Sequence, residues 1–149
     1  MASKTIVQDF ISQKTLAVVG VSRHGQKFGN MAYRELKAGG YKLYPIHPEA
    51  ETLEGDHTCK DFTSLPEKVG GVLIVVPPAQ TEKVVQEAAA AGIKRVWMQQ
   101  GSESEAAIRL CQQNGIAEVH GECILMFAGK SFFHKPHRWV WGLLGKLPE

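Results

Sequence analysis

Four short stretches hold the groups best suited to chemistry: Gly20-Val21-Ser22-Arg23-His24-Gly25-Gln26-Lys27-Phe28-Gly29-Asn30, Pro45-Ile46-His47-Pro48, Pro77-Pro78-Ala79 and Gln99-Gln100-Gly101-Ser102. The first fits an anion. Gly20 permits a tight turn and close approach of a ligand to the backbone. Ser22 offers a hydroxyl, and Arg23 and Lys27 place positive charge where a phosphate would lie. Gly29 stands before a helix, whose first N–H groups lack intrahelical acceptors and attract negative charge. Glycines that merely close a turn account for the same residues. The place of this turn, after a strand and before a helix, favours phosphate binding.

The remaining stretches narrow the ligand. Gly20-x-Ser22 stands in place of the G-x-G of the usual dinucleotide turn, and the loop before Gly29 is longer. A nicotinamide-binding fold places Asp or Glu at the end of its second strand to hold the ribose hydroxyls. Here that place holds Pro45, His47 and Pro48, and Glu49 and Glu51 could substitute only through a rearranged loop. A neutral or cationic strand end suits a phosphorylated ribose, hence a ligand such as coenzyme A or NADP. The Pro77-Pro78 pair either packs a flat ring on an adenine or a pantetheine arm or simply ends a strand. Gln99, Gln100 and Ser102 offer amides and a hydroxyl ahead of another helix, for a second polar contact or for plain helix capping by Ser102.

Candidates for catalysis and metal binding carry less. His120 and Cys123 lie close together with Glu122 between them, but a nucleophilic pair needs a hydrogen bond that adjacency does not supply. A thiol buried at the start of a helix over 124–127 is the expectation. Cys59 has no evident activator. His134 and His137 have H-x-x-H spacing with no accompanying Cys or carboxylate pattern, so no metal site is expected. The segment 130–141 mixes Phe132, Phe133, Trp139 and Trp141 with Lys130, His134, Lys135, His137 and Arg138. Stacking with phosphate contacts would suit a nucleic acid, but a net charge of +2 gives too little positive field. The aromatics are expected to dock this tail on the sheet or on a second subunit, which would make a homodimer, with Arg138 able to reach ligand phosphates.

Repeated strand–helix units must position these groups. Apolar runs at 16–20, 43–46, 72–76 and 95–98 read as buried strands, with a weaker one at 116–119 and a short one near 58–61. The third, continuous and valine-rich, fits a parallel strand covered on both faces. Helices are expected over 31–38, 81–91 and 103–113, the last with Ser102 and Glu105 at capping-box spacing. Three helices stop at a glycine followed by an apolar residue and a strand, at Gly40-Tyr41, Gly92-Ile93 and Gly115-Ile116. The pattern predicts a Rossmann-like, doubly wound α/β fold: a mainly parallel five- or six-stranded sheet with helices on both faces. Ligands of such sheets bind beyond the carboxyl ends of the strands, where strand order reverses. All four stretches fall at those ends.

Composition agrees with one folded domain over 1–149, at 44% hydrophobic and 21% charged residues. Cys59, Cys111 and Cys123 form no C-x-x-C pair, which suggests reduced thiols and a cytoplasmic protein. The N-terminus, with Lys4 and Asp9, lacks the apolar run of a secretory signal. No run approaches about 18 apolar residues, so no membrane span is expected.

Taken together, Ala17-Val18-Val19-Gly20-Val21-Ser22, Lys27-Phe28-Gly29-Asn30, Tyr44-Pro45-Ile46-His47-Pro48, Val75-Val76-Pro77-Pro78, Trp97-Met98-Gln99-Gln100-Gly101 and Gly121-Glu122-Cys123-Ile124 resemble the stand-alone CoA-binding domain proteins. These are similar to the N-terminal domain of the succinyl-CoA synthetase α subunit. The resemblance runs from about residue 10 to 148. It implies a fold that binds CoA through its ADP portion. Gly20, Ser22 and Arg23 would contact phosphate, with Lys27 and Asn30 in the same loop and helix start. Pro45 and Pro48 would flank the adenosine and its 3′-phosphate, and Val76 and Pro77 would line the adenine side. The family commonly has Asn where this chain has His47, which could instead make a pH-dependent phosphate contact. The phosphorylated histidine of succinyl-CoA synthetase lies in a different domain, so its activity is not transferred. The expectation is a CoA or acyl-CoA binding protein without catalysis of its own. The alternatives are an NAD(P)-dependent oxidoreductase or another nucleotide-binding regulatory protein.

Overall fold

A computed structural model describes residues 3–128. Its helices are α1 (Lys4–Ile11), α2 (Phe28–Ala38), α3 (Pro78–Ala90), α4 (Glu105–Gln113) and α5 (Leu125–Ala128). Its strands are β1 (Thr15–Val19), β2 (Lys42–Ile46), β3 (Thr52–Leu53), β4 (Asp56–His57), β5 (Gly71–Ile74), β6 (Arg95–Met98) and β7 (Ala117–Val119). A 3-10 turn spans Phe62–Ser64.

Alternation along each strand builds two cores. Leu16, Val18, Leu73, Trp97 and Val119 face one side and pack against Val7 and Phe10 of α1, Tyr33 and Leu36 of α2 and Phe127 of α5. Ala17, Val72, Ile74, Val96 and Met98 face the other and pack against Val84, Val85 and Ala88 of α3 and Ala107 and Cys111 of α4. Strands buried on both faces are apolar throughout, as parallel strands between helices must be. The five strands of the main sheet run parallel in the order β2-β1-β5-β6-β7. The fold is the expected doubly wound α/β sheet. The chain leaves β1 toward β2 on one side and returns with β5 on the other, so strand order reverses between β1 and β5.

The helix-stop pattern holds. Gly40, Gly92 and Gly115 all have positive φ. The next amides close back five residues: Tyr41 to Leu36 O, Ile93 to Ala88 O and Ile116 to Cys111 O. Tyr41, Ile93 and Ile116 are themselves buried, the hydrophobic contact that completes a Schellman end.

Several expectations need correction. The capping box is not formed: α4 begins at Glu105 and is capped by Ser104, whose Oγ accepts from the Ala107 amide at 3.1 Å. Ser102 is instead consumed in a tight turn, its amide donating to Gln99 O at 2.7 Å. Helices α2 and α3 each begin three residues earlier than expected, α3 with Pro78 in its first turn, where a missing N–H costs nothing. The valine run leaves the sheet after Ile74, so Val75 and Val76 belong to the following turn. Near 58–61 only an isolated bridge forms, Cys59 to Ile46. The sequence reading had no counterpart for α1 or for the β3–β4 hairpin.

Candidate functional site

A cleft of about 710 Å³ opens at the carboxyl ends of β1, β2 and β5, at the point of strand-order reversal. That volume lies in the range of small-molecule sites. Its floor is made by two glycines. A Cβ on Gly20, whose φ is +120°, would lie 2.0 Å from Val75 O, and one on Gly29 would lie 2.4 Å from Gly20 O. The end of β1, the start of α2 and the end of β5 therefore touch backbone to backbone, which no larger residue allows.

The glycine loop is held from inside. Asn30 is fully buried. Its Oδ1 accepts from the Ser22 amide at 3.0 Å, and its Nδ2 donates to Ser22 O at 2.8 Å and to Glu54 Oε2 at 2.8 Å. The Ser22 amide is thus spent, while Ser22 Oγ accepts from the His24 amide at 3.2 Å and keeps its hydrogen to donate. At the start of α2 the amides of Asn30 and Met31 return to Lys27 O, and no side chain caps the helix. The first helical residues, Phe28 and Gly29, line the cleft with amides that have no intrahelical acceptor.

The other walls come from three strand ends. His47 follows β2, and its Nδ1 accepts from the Glu49 and Ala50 amides at 3.1 and 2.9 Å. This is the local backbone contact that an Asn side chain makes in an Asx turn, and with Nδ1 accepting, Nε2 is left to carry the ring proton. Val75, Val76, Pro77 and Gln80 form the wall beyond β5, and Gln100, Gly101 and Ser102 that beyond β6. The β6 loop is latched to the segment after β7. Gln99 is buried, with its Oε1 accepting from the Ile124 amide, and the Gln100 amide donates to Glu122 O at 3.3 Å. Among the described residues the lining carries one ammonium group, Lys27, one imidazole, His47, and no carboxylate.

Of the residues expected at the site, Gly20, Ser22, Lys27, His47, Pro48, Val76, Pro77 and Gln100 line the cleft together. Arg23, Asn30 and Pro45 do not line it. Arg23 is exposed in the adjoining loop, Asn30 lies beneath that loop, and Pro45 is buried in β2 with its carbonyl accepting from the Cys59 amide at 2.9 Å. Gln80 was hidden from sequence reasoning because α3 begins before it. His120 pairs with Glu118, Nδ1 to Oε1 at 2.6 Å, and not with Cys123. All three cysteines are free; burial and then the Glu118 charge push the Cys111 thiol up to about 12. Among the described residues no cluster of three potential metal ligands forms. The 130–141 segment, with His134, His137 and Arg138, lies outside the described residues.

Residues 14–128 match the model of the CoA binding domain. The chain belongs to the CoA-binding domain family. Among relatives of this domain is the α subunit of the ADP-forming acetate–CoA ligase II of Pyrococcus furiosus, 30% identical over 58% of the chain. The match spans 19% of that subunit's own length. The uncharacterized protein YneT of Bacillus subtilis is 26% identical over 82% of the chain and 91% of its own length, a relative of similar size. Among solved structures, a conserved hypothetical protein from Pyrococcus furiosus superposes with a TM-score of 0.72 at 33% identity, over 76% of this chain and 97% of that one.

Proposed function

We propose that the cleft binds coenzyme A or an acyl-CoA through its ADP portion, with the pyrophosphate against the first turn of α2. The observation that carries this reading is an uncapped helix N-terminus opening into a cleft with no carboxylate, at the strand-order reversal of a CoA-binding family fold. Partial positive charge at a helix start favours phosphate. The amides of Phe28 and Gly29, the Lys27 ammonium and the Ser22 hydroxyl serve as donors, with Arg23 adding charge from the loop tip. His47 and Pro48 lie on the side of the ribose phosphate, and the apolar surface of Val76 and Pro77 receives the adenine. Gln100 contacts the far end of the ligand. Asn30 and Pro45 act one step removed, by holding the Ser22 loop and the β2 end.

We read the protein as a binding module without catalysis of its own. The cleft lining holds no cysteine, and its one histidine already spends Nδ1 on backbone amides. Among the described residues no helix is long and apolar enough to cross a membrane. The free thiols support a reducing, cytoplasmic setting.

Isothermal titration with CoA, dephospho-CoA and NADP tests the reading. CoA is expected to bind, and dephospho-CoA to bind at least roughly tenfold more weakly for want of charge-assisted contacts. Equal affinity for the two would remove the ribose-phosphate contact. Binding of NADP alone would turn the assignment toward an oxidoreductase.

A further inference from the structure

A single carboxylate oxygen outside the cleft ties down two points of the glycine loop. Glu54 Oε2 accepts from Asn30 Nδ2 at 2.8 Å and from the Arg34 guanidinium at 2.9 Å. Asn30 in turn holds both the amide and the carbonyl of Ser22. The same Arg34 nitrogen reaches Gly25 O at 3.4 Å. Glu54 is itself the one non-glycine residue with positive φ among those described, at 51° in the two-residue turn between β3 and β4. The carboxyl side chain is mostly covered, at 14% exposure, and lies against α2 rather than in the cleft. A strained backbone is retained where the surrounding structure over-determines it, often beside a binding site.

We propose that Glu54 is a positioning residue for the ligand: through Asn30 and Arg34 it holds the Ser22–Gly25 bend in the shape that accepts phosphate. This rests on the CoA reading above. It makes the hairpin, which contributes no residue to the cleft lining, part of the binding apparatus.

The test titrates CoA into the wild type, E54G and E54Q, with melting temperatures and apo-state amide exchange at Ser22 measured alongside. Glycine suits a positive φ, so E54G is expected to melt close to the wild type. Its CoA affinity is expected to fall roughly tenfold, with comparably faster Ser22 exchange, through loss of hydrogen bonds to a charged group. E54Q keeps an acceptor for Asn30 and should recover part of the affinity. A wild type that binds CoA beside an E54G that binds within about twofold of it, or keeps Ser22 protected, would overturn this proposal alone. Equal losses in E54G and E54Q with lowered melting temperatures would assign Glu54 to stability and overturn it. A wild type that binds no CoA would overturn the reading of the cleft and this proposal with it.

Discussion

Gly29 leaves no room for a side chain beside the turn that ends β1. A methyl group there meets Gly20 O at 2.4 Å, and the atom it meets is backbone in the adjoining turn, not the end of a flexible chain. Gly29→Ala is therefore expected to cost about 2 kcal/mol, in the range of forced overpacking, with α2 displaced from the cleft. Urea unfolding checks the stability and CoA titration the displacement; an alanine variant with wild-type midpoint and affinity would show that the helix can shift freely. At this scale the sequence was informative where a residue ends a strand. Gly20, Lys27, His47, Val76, Pro77 and Gln100 could be placed together because the sheet brings strand ends together. Asn30 could not be assigned its role, since its partner is the backbone of Ser22 eight residues earlier. Glu54 was missed for a similar reason: its bond to Asn30 joins segments 24 residues apart, and short-range pattern carries no trace of it.

Among the elements, the β3–β4 hairpin is held to α2 by a second carboxylate. Tyr33 OH donates to Asp56, and Lys37 Nζ lies 2.9 Å from both of its oxygens. Burial by itself would raise the Asp56 pKa, but the hydrogen bonds from Tyr33 and Lys37 and the Lys37 charge hold it below the ordinary 3.8. Burial foremost, then Asp56, pushes the Tyr33 phenol far above its ordinary range, so it stays a donor. Because the folded carboxyl is the more acidic, the unfolded chain takes up the proton first as pH falls. The stabilisation is complete above the ordinary value and disappears as pH drops through the folded one. Asp56→Asn should melt lower than the wild type at pH 7 and approach it as the pH falls well below 3.8. Melting curves across pH read this directly, and a gap that stays constant into that range would show that the charge of Asp56 is not what counts. The hairpin escaped sequence reading because its strands are two residues each, too short for alternation to register. Helix α1 is eight residues long, and its apolar positions are read only once Val7 and Phe10 are seen buried. The Ser102–Glu105 spacing misled because Ser104, equally able to cap, lies nearer the helix.

Across the whole molecule, β-strand runs and glycine-stopped helices made the doubly wound architecture legible, since the central strands β1, β5 and β6 are apolar for the same reason, burial on both faces. What remained hidden is how firmly the sheet is tied across its width. Trp97 is fully buried at the centre of the row Leu73, Trp97 and Val119, with ring centroids 5.4 Å from Phe10 and 5.9 Å from Phe127. Its Nε1 donates to Glu122 O at 3.1 Å, joining β6 to the segment after β7. Trp97→Ala should cost about 3–5 kcal/mol, measured by chemical denaturation, and a loss under about 1 kcal/mol would mean that α1 and α5 close over the gap. The backbone contact of Gly20 with Val75, and of Gly29 with Gly20, has a consequence at this scale too. The floor on which the proposed anion would rest is set during folding, by main-chain atoms that have no rotamers left to lose. A molecule settling on it meets a finished shape, so little of the entropy of ordering that a loose loop would charge at that moment remains to be met. On the proposed reading, a ligand is selected first by its match to this backbone floor.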